Sequence, residues 1–171
     1  MQNKLNTDHR QPFHCELVDY HNKSQTQALM ALIRMYARDP MGGNAELSDT
    51  VADKLIAEMA SRDFLFSLVL FSQNEALGFA NCIESFSTFK AKTVVNIHDF
   101  AIVPGHRGKG LSQFLMSAIE VEAKKRHACK LTLEVLQGNA AAQTAYLKAG
   151  FIAYELDPEL GTALFWEKPL T

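Results

Sequence analysis

The chain has 171 residues, 47% hydrophobic and 21% charged, enough for one α/β domain with a real core and too few for two typical ones. Its formal net charge of -2 argues against a dedicated nucleic-acid binder, which would show a basic face, and favours a small-molecule or peptide partner. The first ten residues are polar, with no apolar stretch of signal-peptide length, and no later run approaches a membrane span, so a cytoplasmic protein without a membrane partner is expected.

Residues 1–12 read as a flexible leader, and 13–20 alternate well enough for a first strand. Over 24–38, Leu29, Leu32, Ile33 and Tyr36 recur at three- and four-residue spacing, the period of a helix with one apolar face. The run Asp39-Pro40-Met41-Gly42-Gly43-Asn44 breaks that helix. Ser48 or Asp49 then caps a second one, with Val51, Leu55 and Met59 expected inward. Residues 64–71 and 76–86 form a hairpin about the turn 72–75, and Gly78 marks a bulge or a close backbone contact. A strand over 94–103 leads into Gly105-His106-Arg107-Gly108-Lys109-Gly110, and a helix from 110 to 127 buries Leu111, Phe114, Leu115, Ala118 and Ile119. In the strand 131–135, Leu131, Leu133 and Val135 alternate with Thr132 and Glu134. A short alanine-rich helix follows, from the N-cap Asn139 to a stop at Gly150, and 152–156 and 164–167 supply the last strands. No repeat or linker interrupts this order, so residues 13–171 read as a single α/β domain. Cys15, Cys82 and Cys129 lack paired metal spacing and sit in or beside apolar segments, as buried structural thiols do; no metal site is expected.

The glycine-rich run between a strand and a helix reads as a phosphate cradle, the alternative for such a run alone being a surface turn. Its glycines allow a tight turn and close approach of an anion, and the free N–H groups of the next helix point at that anion with the positive end of the helix dipole. A Walker A loop is excluded by spacing, because Leu111 and Ser112 stand where Lys and Ser/Thr are required. A dinucleotide fingerprint fails too, since Gln113 occupies its third glycine position and the loop comes late in the chain.

The cradle and the downstream cassette, in this order, resemble the GNAT superfamily of acetyl-CoA-dependent N-acetyltransferases. Arg107-Gly108-Lys109-Gly110 corresponds to the family's Gln/Arg-x-x-Gly-x-Gly/Ala loop, and Asn139 through Tyr146 to Phe151 to its Asn-x-x-Ala-x-x-x-Tyr-x-x-x-Gly-Phe segment. Gly105 replaces the first Gln/Arg, and Ser112 stands where a further glycine is common. The resemblance implies the GNAT fold, a mixed α+β sheet in the order β-α-α-β-β-β-α-β-α-β-β, with acetyl-CoA as cosubstrate. It implies pyrophosphate contacts from His106, Arg107, Gly108, Lys109, Gly110, Leu111 and Ser112, mostly through backbone N–H groups. Pantetheine would pair with the backbone of Phe100, Ala101, Ile102 and Val103, beyond a bulge that splays this strand from 131–135, and Asn139 would contact its arm. Late-strand pairing is common in the family, which leaves room for a homodimer.

Acetyl transfer from a thioester to an amine poses two proton problems. At neutral pH an amine with the reference pKa of about 10.4 is nearly all ammonium, a deficit of roughly 4 to 5 kcal/mol that a base or desolvation supplies. The leaving thiolate needs a donor. Tyr146 alone would read as a helix tyrosine packed on the core; the resemblance makes it that donor. For the base, Glu134 lies where ribosomal-protein alanine N-acetyltransferases carry a catalytic glutamate. His98, beside Asp99, lies where diamine acetyltransferases carry a proposed glutamate base, and Glu84 is a third choice. Each of these also reads as an ordinary strand residue. The acceptor would enter by residues 36–47, 86–90 and 157–162, whose mixed charge selects neither a polyamine nor an acidic acceptor. Direct attack in a ternary complex is expected. The alternatives are a catalytically degenerate acyl-CoA-binding regulator and a nucleotide-binding protein.

Overall fold

The computed structural model describes residues 4–5, 13–155, 157, 159 and 161–170. Leu156 and most of the leader expected over 1–12 therefore lie outside the described residues. The chain divides into two compact units, Met1–Leu133 and Glu134–Thr171.

The first unit is a mixed sheet of six strands in sequential order: β1 Lys4–Leu5, β2 Phe13–Leu17, β3 Leu65–Ser72, β4 Glu75–Ser87, β5 Lys92–Ile102 and β6 Leu131–Leu133. The first four pairings are antiparallel, and β6 runs parallel to β5. Between them lie α1 Lys23–Arg38, α2 Asp49–Ala60 and α3 Leu111–Lys125. Asn22 caps α1, its Oδ1 accepting from the N–H of Ser24 at 3.0 Å, and the helix stops at Asp39, ahead of Pro40. Ser48 caps α2. Val51, expected to face inward on that helix, is exposed, whereas Met59 is buried.

One core cluster joins Leu29 and Leu32 of α1 and Met59 of α2 to Val69, Phe79 and Ala101 of the sheet. Strand alternation sends Leu68 and Leu70 to the opposite face, where they are fully buried as well, and α3 contacts β3, β4 and β5. The sheet is therefore covered on both faces.

Two irregularities shape β4 and β5. Gly78 sits beside a register shift, and a Cβ there would lie 2.5 Å from Ile102 Cδ1 and 2.8 Å from the Ala101 carbonyl oxygen. Both halves of the expectation for Gly78 are thus met. In β5, Asp99 opposes Asn81 while Ile97 opposes Cys82, which leaves His98 as the extra residue of a β-bulge. The ladder with β6 ends at Ile97↔Leu133, one residue before that bulge.

In the second unit, α4 Ala140–Lys148 is closed at both ends by local bonds. Asn139 Oδ1 accepts from the Ala142 N–H at 3.1 Å. At the other end Gly150, with φ +87, donates to the Leu147 carbonyl and Phe151 to the Tyr146 carbonyl, the paired bonds of a Schellman motif. The sheet segment expected over 131–135 is shorter than the sequence suggests: Glu134 and Val135 lie past the end of β6. Among the described residues the two closing strands are represented by a single antiparallel bridge, Glu155↔Thr162, and Ile152, Leu164, Phe165 and Trp166 are exposed.

Candidate active site

The cradle follows β5 directly. Val103 donates its N–H to the Leu77 carbonyl at 2.9 Å, and a short 3-10 turn over Pro104–His106 then closes through His106 N–H to Val103 O. Gly108 and Gly110 take φ +76 and +81, conformations that side-chain-bearing residues rarely adopt, and open space surrounds both α-carbons where a Cβ would stand. Gly110 is the N-cap of α3 and brings no side chain to cap it, so the first turn of α3 opens onto the loop without a competing side-chain oxygen. These features fit a pyrophosphate held by backbone N–H groups.

The two basic side chains of the loop behave differently from that simple picture. Arg107 donates through Nε to the Ile102 carbonyl at 2.9 Å and through Nη2 to Asp39 Oδ2 at 2.5 Å. Lys109 donates to the Gly105 carbonyl at 3.0 Å. Both therefore brace the loop, and Arg107 also ties it to the segment that follows α1. Arg107 is the main reason the Asp39 carboxyl sits below its ordinary range, helped by the Met41 N–H. Sequence reasoning placed Arg107 in the cradle without Asp39, because the pair is 68 positions apart.

The bulge decides what β5 presents to α1. In a regular strand Asp99 would share the face of Ile97; the extra residue His98 puts them on opposite faces and aligns Asp99 with Asn81. The Asn81 amide donates to Asp99 Oδ2 at 2.9 Å, Ser67 donates to Asn81 Oδ1 at 2.6 Å, and the Tyr20 hydroxyl lies 2.8 Å from Ser67 Oγ. Tyr36 stands on the same side: its hydroxyl is held above the ordinary tyrosine value by burial first, then by the negative charges of Asp99 and Asp39. Asn81, Ser67, Tyr20 and Tyr36 carried no catalytic motif in the sequence and are found only through cross-strand register.

His98 is exposed at the bulge. Of the lining expected for pantetheine, Ala101 and Ile102 are buried and Phe100 is half-buried, on a strand held by β4. Glu84 is committed elsewhere: its Oε1 accepts from Arg126 Nη1 at 2.5 Å, Arg126 also donates to Glu122, and its guanidinium lies 4.0 Å over the Phe66 ring. That network makes Glu84 a structural ion-pair partner. Cys15 and Cys82 are buried, and burial pushes each thiol up to about 12, so neither is poised as a thiolate nucleophile. Among the described residues no group of three or more His, Cys, Asp or Glu side chains converges as a metal site, and no helix is long and apolar enough to cross a membrane.

The second unit carries Asn139, Tyr146 and Glu134. Its Schellman motif explains the spacing from Tyr146 to Phe151: the backbone bond between the two brings their rings to 6.0 Å between centroids. The Tyr146 ring is thereby fixed by the helix stop itself.

The strand-loop-helix cradle, the bulged β5 and the capped α4 define a GNAT-type acyltransferase architecture, and residues 27–151 match the model of the acetyltransferase (GNAT) family. The chain belongs to that family. Streptothricin acetyltransferase of Streptomyces lavendulae is 44% identical over 71 residues, 40% of this chain and 38% of that protein, so the match spans about two-fifths of each. An aminoglycoside acetyltransferase from an uncultured soil metagenomic sample, in complex with sisomicin, superposes with a TM-score of 0.75 at 12% identity over 93% of this chain and 97% of that one. The aminoglycoside acetyltransferase AAC(6')-Iy, in complex with the bisubstrate analogue CoA-S-monomethyl-acetylneamine, gives 0.72 at 16% identity over 92% and 98%. At these identities the two structures bear on the fold.

Proposed function

We propose that this protein is an acetyl-CoA-dependent N-acetyltransferase whose acceptor is an amine of a cationic, amine-rich antibiotic of the streptothricin or aminoglycoside type. The observation that carries the acceptor class is the 44% identity to streptothricin acetyltransferase. Residues 13–171 are read as one acetyltransferase domain, because the family match runs across the boundary between the two compact units.

Acetyl-CoA supplies an acetyl group activated as a thioester. The loop from His106 to Ser112 holds its pyrophosphate, chiefly by backbone N–H groups at the start of α3. The backbone of Phe100 to Val103 orients the pantetheine arm, and Asn139 combines its capping role with a contact to that arm. Removal of the acceptor's proton falls to the bulge of β5, where His98 and Asp99 are adjacent, with Glu134 as the candidate on the second unit. Tyr146 donates a proton to the departing sulfur. The inert thiols of Cys15 and Cys82 favour direct attack over an acetyl-enzyme.

The test is thiol release on mixing the protein and acetyl-CoA with streptothricin, sisomicin and lysine as acceptors. Turnover with an antibiotic and Tyr146→Phe lowering kcat by about 10²-fold would bear out the reading. Binding of coenzyme A with no turnover on any amine would replace it with an acyl-CoA-binding regulator.

A further inference from the structure

A polar line crosses the otherwise apolar centre of the sheet. Ser67 of β3 opposes Asn81 of β4, and Asn81 opposes Asp99 of β5, so the three side chains stand in one row on the face that carries Val69, Phe79 and Ala101. Ser67 is 0% and Asn81 6% exposed. Tyr20, from the segment between β2 and α1, closes the row through Ser67.

The direction of these hydrogen bonds follows from chemistry. An ionised carboxylate only accepts, so the Asn81 Nδ2 faces Asp99; a flipped amide would set two acceptor oxygens 2.9 Å apart. Oδ1 then faces Ser67, whose hydroxyl donates to it, and the Tyr20 hydroxyl donates to Ser67 Oγ. Burial raises the Tyr20 hydroxyl to about 12, which keeps that proton in place at neutral pH. Every donor in the row points toward Asp99. Apolar side chains of equal volume would fill these positions at no loss of stability, because buried polar groups gain little beyond being satisfied. What the row adds is one fixed orientation for a carboxylate.

We propose that Asn81, backed by Ser67 and Tyr20, is a positioning residue that holds the Asp99 carboxylate on the sheet face against which Tyr36 packs, where Asp99 receives the acceptor's ammonium and takes its proton. The inference rests on the acetyltransferase reading above and assigns the base within it. One proton passes from the ammonium nitrogen to Asp99. The freed nitrogen lone pair forms the bond to the acetyl carbon as the carbon–sulfur bond breaks. The sulfur leaves as a thiol with the proton of Tyr146, which takes the nitrogen's second proton in its place, and Asp99 returns its own proton to solvent.

A double-mutant cycle with simple amines tests this without the antibiotic. With ethylamine, an ammonium ion at neutral pH, Asp99→Asn is expected to lower kcat/KM by about 10²-fold and Asn81→Leu by at least about tenfold. In the Asp99→Asn background Asn81→Leu should cost less than about twofold more, because it acts through the carboxylate already removed. Both variants should come back to near wild-type rates with methoxyamine, which is free base at neutral pH. If Asn81→Leu does not fold, Ser67→Ala makes the same cut with a single-atom deletion. A readout independent of turnover is the carboxyl carbon NMR signal of Asp99, identified by its loss in Asp99→Asn: ethylammonium should move it in the wild type and leave it unmoved in Asn81→Leu.

Additive losses in the cycle, equal losses with methoxyamine, or an Asp99 signal indifferent to ethylammonium would each overturn the proposal. Turnover of ethylamine with neither streptothricin nor sisomicin would remove the acceptor class alone and leave the cycle to judge Asn81.

Discussion

Asp39 shows how one residue can tie the glycine loop to the segment after α1. Its carboxylate accepts from Arg107 and from the Met41 N–H, and both bonds favour the ionised form, which holds its pKa below the ordinary 3.8. A depressed carboxyl stabilises the fold at pH values above its unfolded pKa, and the contribution disappears as pH falls through the folded value. Asp39→Asn should therefore be less stable than wild type in urea unfolding at neutral pH, and the difference should shrink once the pH drops below 3.8. The guanidinium is 48% exposed, so the gap will be modest. A gap that persists unchanged in acid would mean that the ion pair is not its source. The thiols make a second prediction at this scale. With Cys15 and Cys82 raised to about 12 by burial and Cys129 only half-buried, an aromatic disulfide reagent should titrate Cys129 first in the native protein and release the other two on unfolding. Rapid native reaction of all three would contradict the burial described for the core.

Helix ends and strand irregularities carry the spacing rules of the site. In α4, Asn139 and Gly150 are the two closures, and their local roles alone account for their places in the motif. Asn139→Ala should cost about 1 kcal/mol through the lost cap. Gly150→Ala should cost about 1 kcal/mol as well, since alanine must adopt the φ of +87. Chemical denaturation measures both, and a neutral Gly150→Ala would show that the Schellman closure contributes nothing. These elements were legible in the sequence because caps and stops are local. Asn22, Ser48, Asn139 and Gly150 act within a few residues of themselves, and the cradle's glycines announce positive φ. The bulge at His98 was expected from the family resemblance alone and without a position, because a bulge depends on register against β4 and on no residue type. The row from Tyr20 to Asp99 was invisible for the same reason: its hydrogen-bonded neighbours are separated by as many as 47 positions and meet only when strands pair. The closing strands expected over 152–156 and 164–167 are represented among the described residues by one bridge, because residue type alone does not supply the neighbouring strand that a ladder needs.

The whole molecule must recognise a large, anionic cosubstrate with a net charge of -2 of its own, so long-range attraction cannot be the source of affinity. On the function proposed above, recognition rests on local geometry: backbone N–H groups at one helix start, glycines that allow close approach, and an Arg107 whose charge is already balanced by Asp39. Two consequences separate this arrangement from a merely basic patch. Affinity for coenzyme A should fall only shallowly with added salt, because few free cations take part. Discrimination should also favour CoA species over ATP, since the loop lacks the lysine placement of a nucleotide-triphosphate site. A ligand that binds only the native state raises stability by mass action, about 2.7 kcal/mol at a hundredfold excess over Kd. Acetyl-CoA and coenzyme A should therefore raise Tm by several degrees, with ATP at the same concentration leaving it unchanged. Gly108→Val and Gly110→Val, which force β-branched residues into positive φ, should abolish that shift while Asp99→Asn preserves it. If ATP protects as well as coenzyme A, the loop binds phosphate without reading the rest of the cofactor, and the assignment of His106 to Ser112 to the cofactor falls.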